Sequence, residues 1–156
     1  MKKFLQKKLK DQKGMTLIEL LAVIVIIAII AAIAIPAIGN IIENSRYSAV
    51  KSDATNVLSA ANIYFTENSD DDKVTVEKLI DDGFLESEGE LGEDTFVDNV
   101  NPIKITSPTA VIYSGDKTVT FTNATLKEIN DDTKKGSDDN ESGFTIGTAT
   151  SSGDGT

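Results

Sequence analysis

The apolar positions of this chain change their period as the chain proceeds. From Leu20 to Ile35, sixteen consecutive residues are Leu, Ala, Val or Ile. Widening the window to Met15 and Ile38 gives 24 residues in which only Thr16, Glu19 and Pro36 are out of character. As a helix rising about 1.5 Å per residue, that stretch is roughly 36 Å long. A bilayer core is about 30 Å thick, so the stretch is long enough to span one. After Pro36 the pattern becomes one-sided. Tyr47, Val50, Ala54, Val57, Ala61 and Tyr64 recur at alternating spacings of three and four, and Leu58 and Phe65 widen the stripe. This predicts an amphipathic helix whose apolar face seeks a sheet.

Asn68-Ser69-Asp70-Asp71-Asp72 ends that helix. The aspartates lack the spacing and closing glutamate of an EF-hand, so they read as a solvated turn and not as a calcium loop. Val74 to Asp82 reads as a short helix, capped by Thr75 and stopped at Gly83. Glu86 to Asp94 is an acidic loop. The period then falls to two. Thr95-Phe96-Val97, Ile103-Lys104-Ile105, Ala110-Val111-Ile112-Tyr113 and Thr118-Val119-Thr120-Phe121-Thr122 read as strands, with a hairpin turn at Ser114-Gly115-Asp116-Lys117. Leu126 and Ile129 suggest one more strand. Pro102 and Pro108 should mark strand edges or connections. From Asn130 to Thr156 the chain is polar, with only Phe144 and Ile146 to anchor it. It reads as a mobile tail with room for a short strand near Phe144.

Charge orients the apolar stretch. The first fourteen residues hold six lysines and one acid, Asp11. A basic flank should stay cytoplasmic while the rest crosses outward. Without those fourteen residues the chain has nine basic and 24 acidic residues, net −15. There is no cysteine and no histidine. Disulfides and thiol chemistry are therefore excluded, and the commonest catalytic base and metal ligand is missing. No Ser/His/Asp set, phosphate loop or metal cluster can be assembled, so the chain reads as a non-enzyme without cofactor or metal.

Three readings of the apolar stretch compete. A secretory signal peptide would use the small residues of Ala32-Ile33-Ala34 as a cleavage site. Glu19 fits an h-region badly, however, and helical pattern continues past the cut. An ordinary signal anchor explains the span but neither Gly14 nor Glu19. The third reading comes from the junction Lys13-Gly14-Met15-Thr16-Leu17-Ile18-Glu19. A carboxylate in a membrane-length apolar segment is costly and marks a functional site by default.

Gly14-Met15-Thr16-Leu17-Ile18-Glu19 closely resembles the cleavage signature of type IV prepilins and pseudopilins, and the resemblance covers roughly residues 1 to 65. It implies a cut between Gly14 and Met15 by a prepilin peptidase and N-methylation of Met15. It also implies that Glu19 acts in assembly. Met15 departs from the phenylalanine most common at that position. Glycine before the cut lets the backbone enter a protease cleft in an extended form. The cut creates an amino group on Met15, one helical turn before Glu19. In a filament the resemblance pairs Glu19 with the amino group of a neighbouring subunit, which relieves the cost of an unpaired charge. The alternative is that Glu19 snorkels to the headgroups. Pro36, with Gly39 three residues on, predicts a kinked or melted segment around Ala32 to Gly39.

The expected fold is α+β and type IV pilin-like: a long N-terminal helix, membrane-spanning in its first half, packed on a small antiparallel sheet. The divisions are a removed leader, 1–14; a transmembrane and filament-core half, 15–38; an amphipathic half, 39–67; a short helix and sheet, 68–129; and a flexible tail, 130–156. The resemblance implies a structural subunit of a type IV pilus or related filament. It would be a single-pass plasma-membrane precursor first and part of a cell-surface filament later. Its partners would be copies of itself, the prepilin peptidase, and an inner-membrane assembly platform with its assembly ATPase. The alternatives are a minor pilin or competence pseudopilin that aids DNA uptake, or a type II secretion pseudopilin. A net charge of −15 disfavours direct nucleic-acid binding, with Lys134 and Lys135 the only local candidates. Asn123-Ala124-Thr125 and Asn140-Glu141-Ser142 match the N-glycosylation pattern, which carries little weight in such a protein.

Overall fold

The computed structural model describes residues 2–138 and 142–148, with side chains described from Thr16 onward. The chain divides into two compact units, residues 1–40 and 41–156. One helix, α1 (Lys2–Glu67), supplies all of the described part of the first unit and the first element of the second. The layout is the α+β one expected, a long N-terminal helix and a small, mostly antiparallel sheet.

In the second unit, every position of the predicted stripe faces the core. Tyr47, Val50, Ala54, Val57, Ala61 and Tyr64 are each 1% exposed or less. At the end of α1 the Asn68 backbone N–H and its side-chain amide both donate to the carbonyl of Tyr64, at 2.8 and 3.1 Å. These bonds satisfy one of the carbonyls a helix end would otherwise orphan.

The core is closed by β1 (Lys73–Thr75), α2 (Val76–Asp81), β2 (Phe96–Asp98), β3 (Lys104–Thr106), β4 (Val111–Ser114), β5 (Lys117–Thr122), α3 (Leu126–Asp131) and β6 (Phe144–Gly147). Thr75 caps α2 by accepting from the Lys78 N–H, and Gly83 follows at φ +79°, a left-handed conformation that suits glycine. Strands β1, β2 and β3 form one antiparallel sheet in that order. The second sheet has the order β4-β5-β6. Reciprocal backbone bonds between Ile105 and Ala124, both 2.9 Å, tie the two sheets together. Val97, Ile105, Val119 and Phe121 are fully buried, as strand alternation requires.

Two expectations are corrected. Leu126 and Ile129 lie on a helix, α3, and not on a strand. Thr125 and Glu128 form a capping box: the Thr125 N–H donates to Glu128 Oε2 at 2.8 Å, and the Glu128 N–H to Thr125 Oγ1 at 3.3 Å. The pair satisfies two donors at the helix start and outweighs a two-residue apolar pattern. The segment read as a mobile tail from Asn130 is built into the domain wherever it is described. Strand β6 pairs with β5, and it does so in parallel, with Val119 opposite Phe144 and Phe121 opposite Ile146. The rest of that segment, 139–141 and 149–156, including Asn140 and its glycosylation pattern, lies outside the described residues.

Candidate processing and assembly site

The apolar half of α1 is helical through the whole junction, from the leader across Gly14 and Met15 to Glu19 and beyond. The side chains of residues 1–15 lie outside the described part, so Gly14 and Met15 are placed by backbone alone. A glycine inside a helix costs about 1 kcal/mol relative to alanine, so this turn is a cheap one to unwind for a protease. Met15 and Glu19 are four residues apart, one above the other on the same face. Glu19 is exposed, flanked by Leu17, Ile18, Leu20 and Leu21, all exposed too.

Between Leu17 and Ile42, sixteen large apolar side chains are exposed. Fully burying each would gain about 1.5–3 kcal/mol, a total on the order of tens of kcal/mol. No such surface persists in water. Among the described residues, α1 is the one helix long and apolar enough to cross a membrane. Pro36 sits inside it, and residues 32–39 are helical throughout. A Cβ added at Gly39 would meet nothing within 4 Å, so no contact among the described residues demands glycine there.

Residues 9–35 match the family profile of the prokaryotic N-terminal methylation motif. This chain carries a type IV prepilin signal. The matched segment contains Gly14, Met15 and Glu19 together with the whole uninterrupted apolar run from Leu20 to Ile35. The prepilin signal implies processing by a prepilin peptidase, a membrane-anchored precursor and assembly into filaments. No curated protein and no solved structure matches the chain.

A second constellation was not legible in the sequence. It fastens residues 132–138 to the start of the amphipathic half of α1. The Tyr47 hydroxyl donates to Asp132 Oδ2 at 2.6 Å. Lys51 Nζ donates to the Asp132 carbonyl at 3.0 Å, and Lys134 Nζ to Asp132 Oδ1 at 3.1 Å. Lys117 Nζ pairs with Glu43 Oε2 at 3.0 Å and also donates to the Gly136 and Asp138 carbonyls, at 3.2 and 3.0 Å. The Ser137 N–H donates to Asn44 Oδ1 at 2.9 Å. Gly136 is buried, and a Cβ there would come within 2.2 Å of the Glu43 carbonyl oxygen, so only glycine permits the approach.

This strap also sets two acidities. Burial, reinforced by the hydrogen bond to Asp132, pushes the Tyr47 hydroxyl far above the ordinary phenol range. Burial pushes Asp132 up as well, but the Tyr47 hydroxyl, Lys134 and Lys51 outweigh it and hold the carboxyl below its usual value. Lys134 is thus engaged with a carboxylate and does not present a free cation to phosphate. Asp71 accepts from the Tyr64 hydroxyl, consistent with a structural turn. Among the described residues, no group of His, Cys, Asp or Glu side chains is placed to hold a metal ion.

Proposed function

We propose that this chain is a structural subunit, a pilin, of a type IV pilus or pilus-like filament. The observation that carries the reading is the junction: a prepilin signal over residues 9–35 leading into an exposed apolar helix that must be covered. The peptidase cuts between Gly14 and Met15 on the cytoplasmic side, and the new amino group of Met15 is methylated. The mature chain waits as a single-pass membrane protein until an assembly platform and its ATPase draw it into the filament. There the apolar halves of α1 bundle, and each Glu19 meets the amino group of a neighbouring copy.

Glu19 then acts as a register device. A subunit that docks out of step leaves a carboxylate unpaired in a low-dielectric bundle, which costs several kcal/mol. Pro36 and Gly39 supply a point at which the helix yields during packing, because proline removes one backbone donor and glycine weakens the turn beside it. The acidic second unit coats the outside.

Intact-mass measurement of filaments sheared from cells tests this reading. The expected species begins at Met15 and carries one added methyl group. A mature chain beginning at Ile35 would mean ordinary signal peptidase and end the reading. Abundance in the sheared fraction separates a major pilin from a minor or secretion component.

A further inference from the structure

A groove of about 360 Å³ opens on the second unit, lined by Arg46, Ala49, Glu90, Ile112, Tyr113 and Gly115 among others. Arg46 is the only arginine in the chain. Nine cations follow Gly14, and six of them, Lys51, Lys73, Lys78, Lys117, Lys127 and Lys134, pair with carboxylates of their own chain. Arg46 is exposed and makes no ion pair or hydrogen bond among the described residues. A guanidinium is a planar fork of five donors that matches a carboxylate two bonds at a time. Across the groove, Ile112 is 62% exposed and stands on β4, an edge strand of its sheet. The groove therefore offers a cation and an apolar wall beside a strand edge.

We propose that this groove is an assembly contact, in which Arg46 and Ile112 receive a carboxylate-bearing segment of a second copy of this chain. The inference rests on the filament reading given above and adds a contact outside the apolar helix. Three observations select the occupant. Arg46 comes four residues after Ile42, the last of the run of sixteen exposed large apolar residues that begins at Leu17, so the groove begins where the run that assembly must cover ends. Another copy brings carboxylates in excess, since 24 acids follow Gly14 and the six intrachain ion pairs among the described residues engage only five of them. Finally, Glu90 on the groove wall would repel a lipid phosphate or nucleic acid, whereas a peptide segment can set a carboxylate on Arg46 and an apolar or neutral residue beside Glu90. Contacts of this kind are heterologous, and repeated without closure they extend a filament.

The test uses the full chain in its own cells, with a benzophenone amino acid replacing Ile112 and, separately, Ala49. Irradiation of filaments should give adducts of twice the chain mass, whose cross-linked peptide maps to an acidic segment of the second copy. Arg46→Glu should reduce sheared filaments by roughly tenfold or more, because it sets like charges together at the contact. Arg46→Lys should give an intermediate yield. Precursor level and thermal unfolding should not change in either, since Arg46 makes no ion pair or hydrogen bond among the described residues. Normal filament yield from Arg46→Glu overturns the proposal. So do filaments of normal yield in which both labelled positions give only lipid adducts, adducts to other proteins, or none. If the unsubstituted chain forms no filaments, the filament reading falls and takes this contact with it. If it forms filaments while the labels stay silent, only the contact falls.

Discussion

The two halves of α1 share one backbone and differ in almost everything else. Between Leu17 and Ile42, sixteen large apolar side chains lie on all sides of the helix and are exposed. From Tyr47 to Tyr64 the stripe of Tyr47, Val50, Ala54, Val57, Leu58, Ala61 and Tyr64 is buried against the sheets, while Arg46, Ser48, Ser52, Asn62 and Ile63 stay outside. The second half is finished by its own chain. The first half is unfinished, and only a membrane or other subunits can complete it. Substitutions in the first half should therefore change what the chain joins, and substitutions in the second whether the domain exists.

The largest expected effect lies in the unfinished half. Glu19→Ala should still be cleaved after Gly14 and should still insert, yet yield few or no sheared filaments. Quantifying filaments beside the processed membrane pool checks this, and a normal filament yield would remove the register role of Glu19. The mirror experiment compares Leu58→Ala with Ile27→Ala in the detergent-solubilised chain. Leu58 is 2% exposed, so its truncation should cost the second unit about 2–5 kcal/mol. Ile27 is 58% exposed, and its truncation should leave the thermal unfolding of that unit unchanged. Equal effects at the two positions would erase the distinction between the halves.

Gly136→Ala should destabilise the second unit by about 1–3 kcal/mol, because the new Cβ meets the Glu43 carbonyl and the strap must lift. The last comparison concerns Asp132. Its folded acidity lies below the unfolded value, so the unfolded state binds the proton more readily. The stabilisation is present above the unfolded value and is lost as pH falls below about 4. Asp132→Asn should cost about 1–3 kcal/mol at neutral pH and flatten that acid limb. An acid limb identical in the two chains would show that the strap is not held by this carboxylate.

Legibility in the sequence followed the physics of each element. The stripe from Tyr47 to Tyr64 could be read because burial on one helix face leaves a period, and so could Val119 and Phe121 on β5. The junction could be read because glycine, carboxylate, basic leader and apolar run occur in a fixed order. Helix α3 hid behind its low apolar content, although Thr125 and Glu128 at capping-box spacing were the available signal. The strap hid for a different reason. Asp132, Gly136 and Ser137 are held by backbone carbonyls, charge and close approach, and none of these leaves an apolar pattern. Arg46 stood out only by being the sole arginine, which acquires meaning once six of the other eight cations after Gly14 are seen to be paired.

The strap has a mechanical consequence. In the filament proposed above, a subunit pulled through α1 would take up tension at the turns carrying Glu43, Asn44 and Tyr47. Those residues are also the anchor points of residues 132–138, through Lys117, Ser137 and Asp132. The load is thus shared at once with β5, which carries Lys117, and through β5 with β6 alongside it. Drawing α1 out of the domain requires several of these bonds to break together. Bonds loaded in parallel yield at a higher force than the same bonds loaded one after another, so the late part of the chain reinforces the point where the early part is pulled.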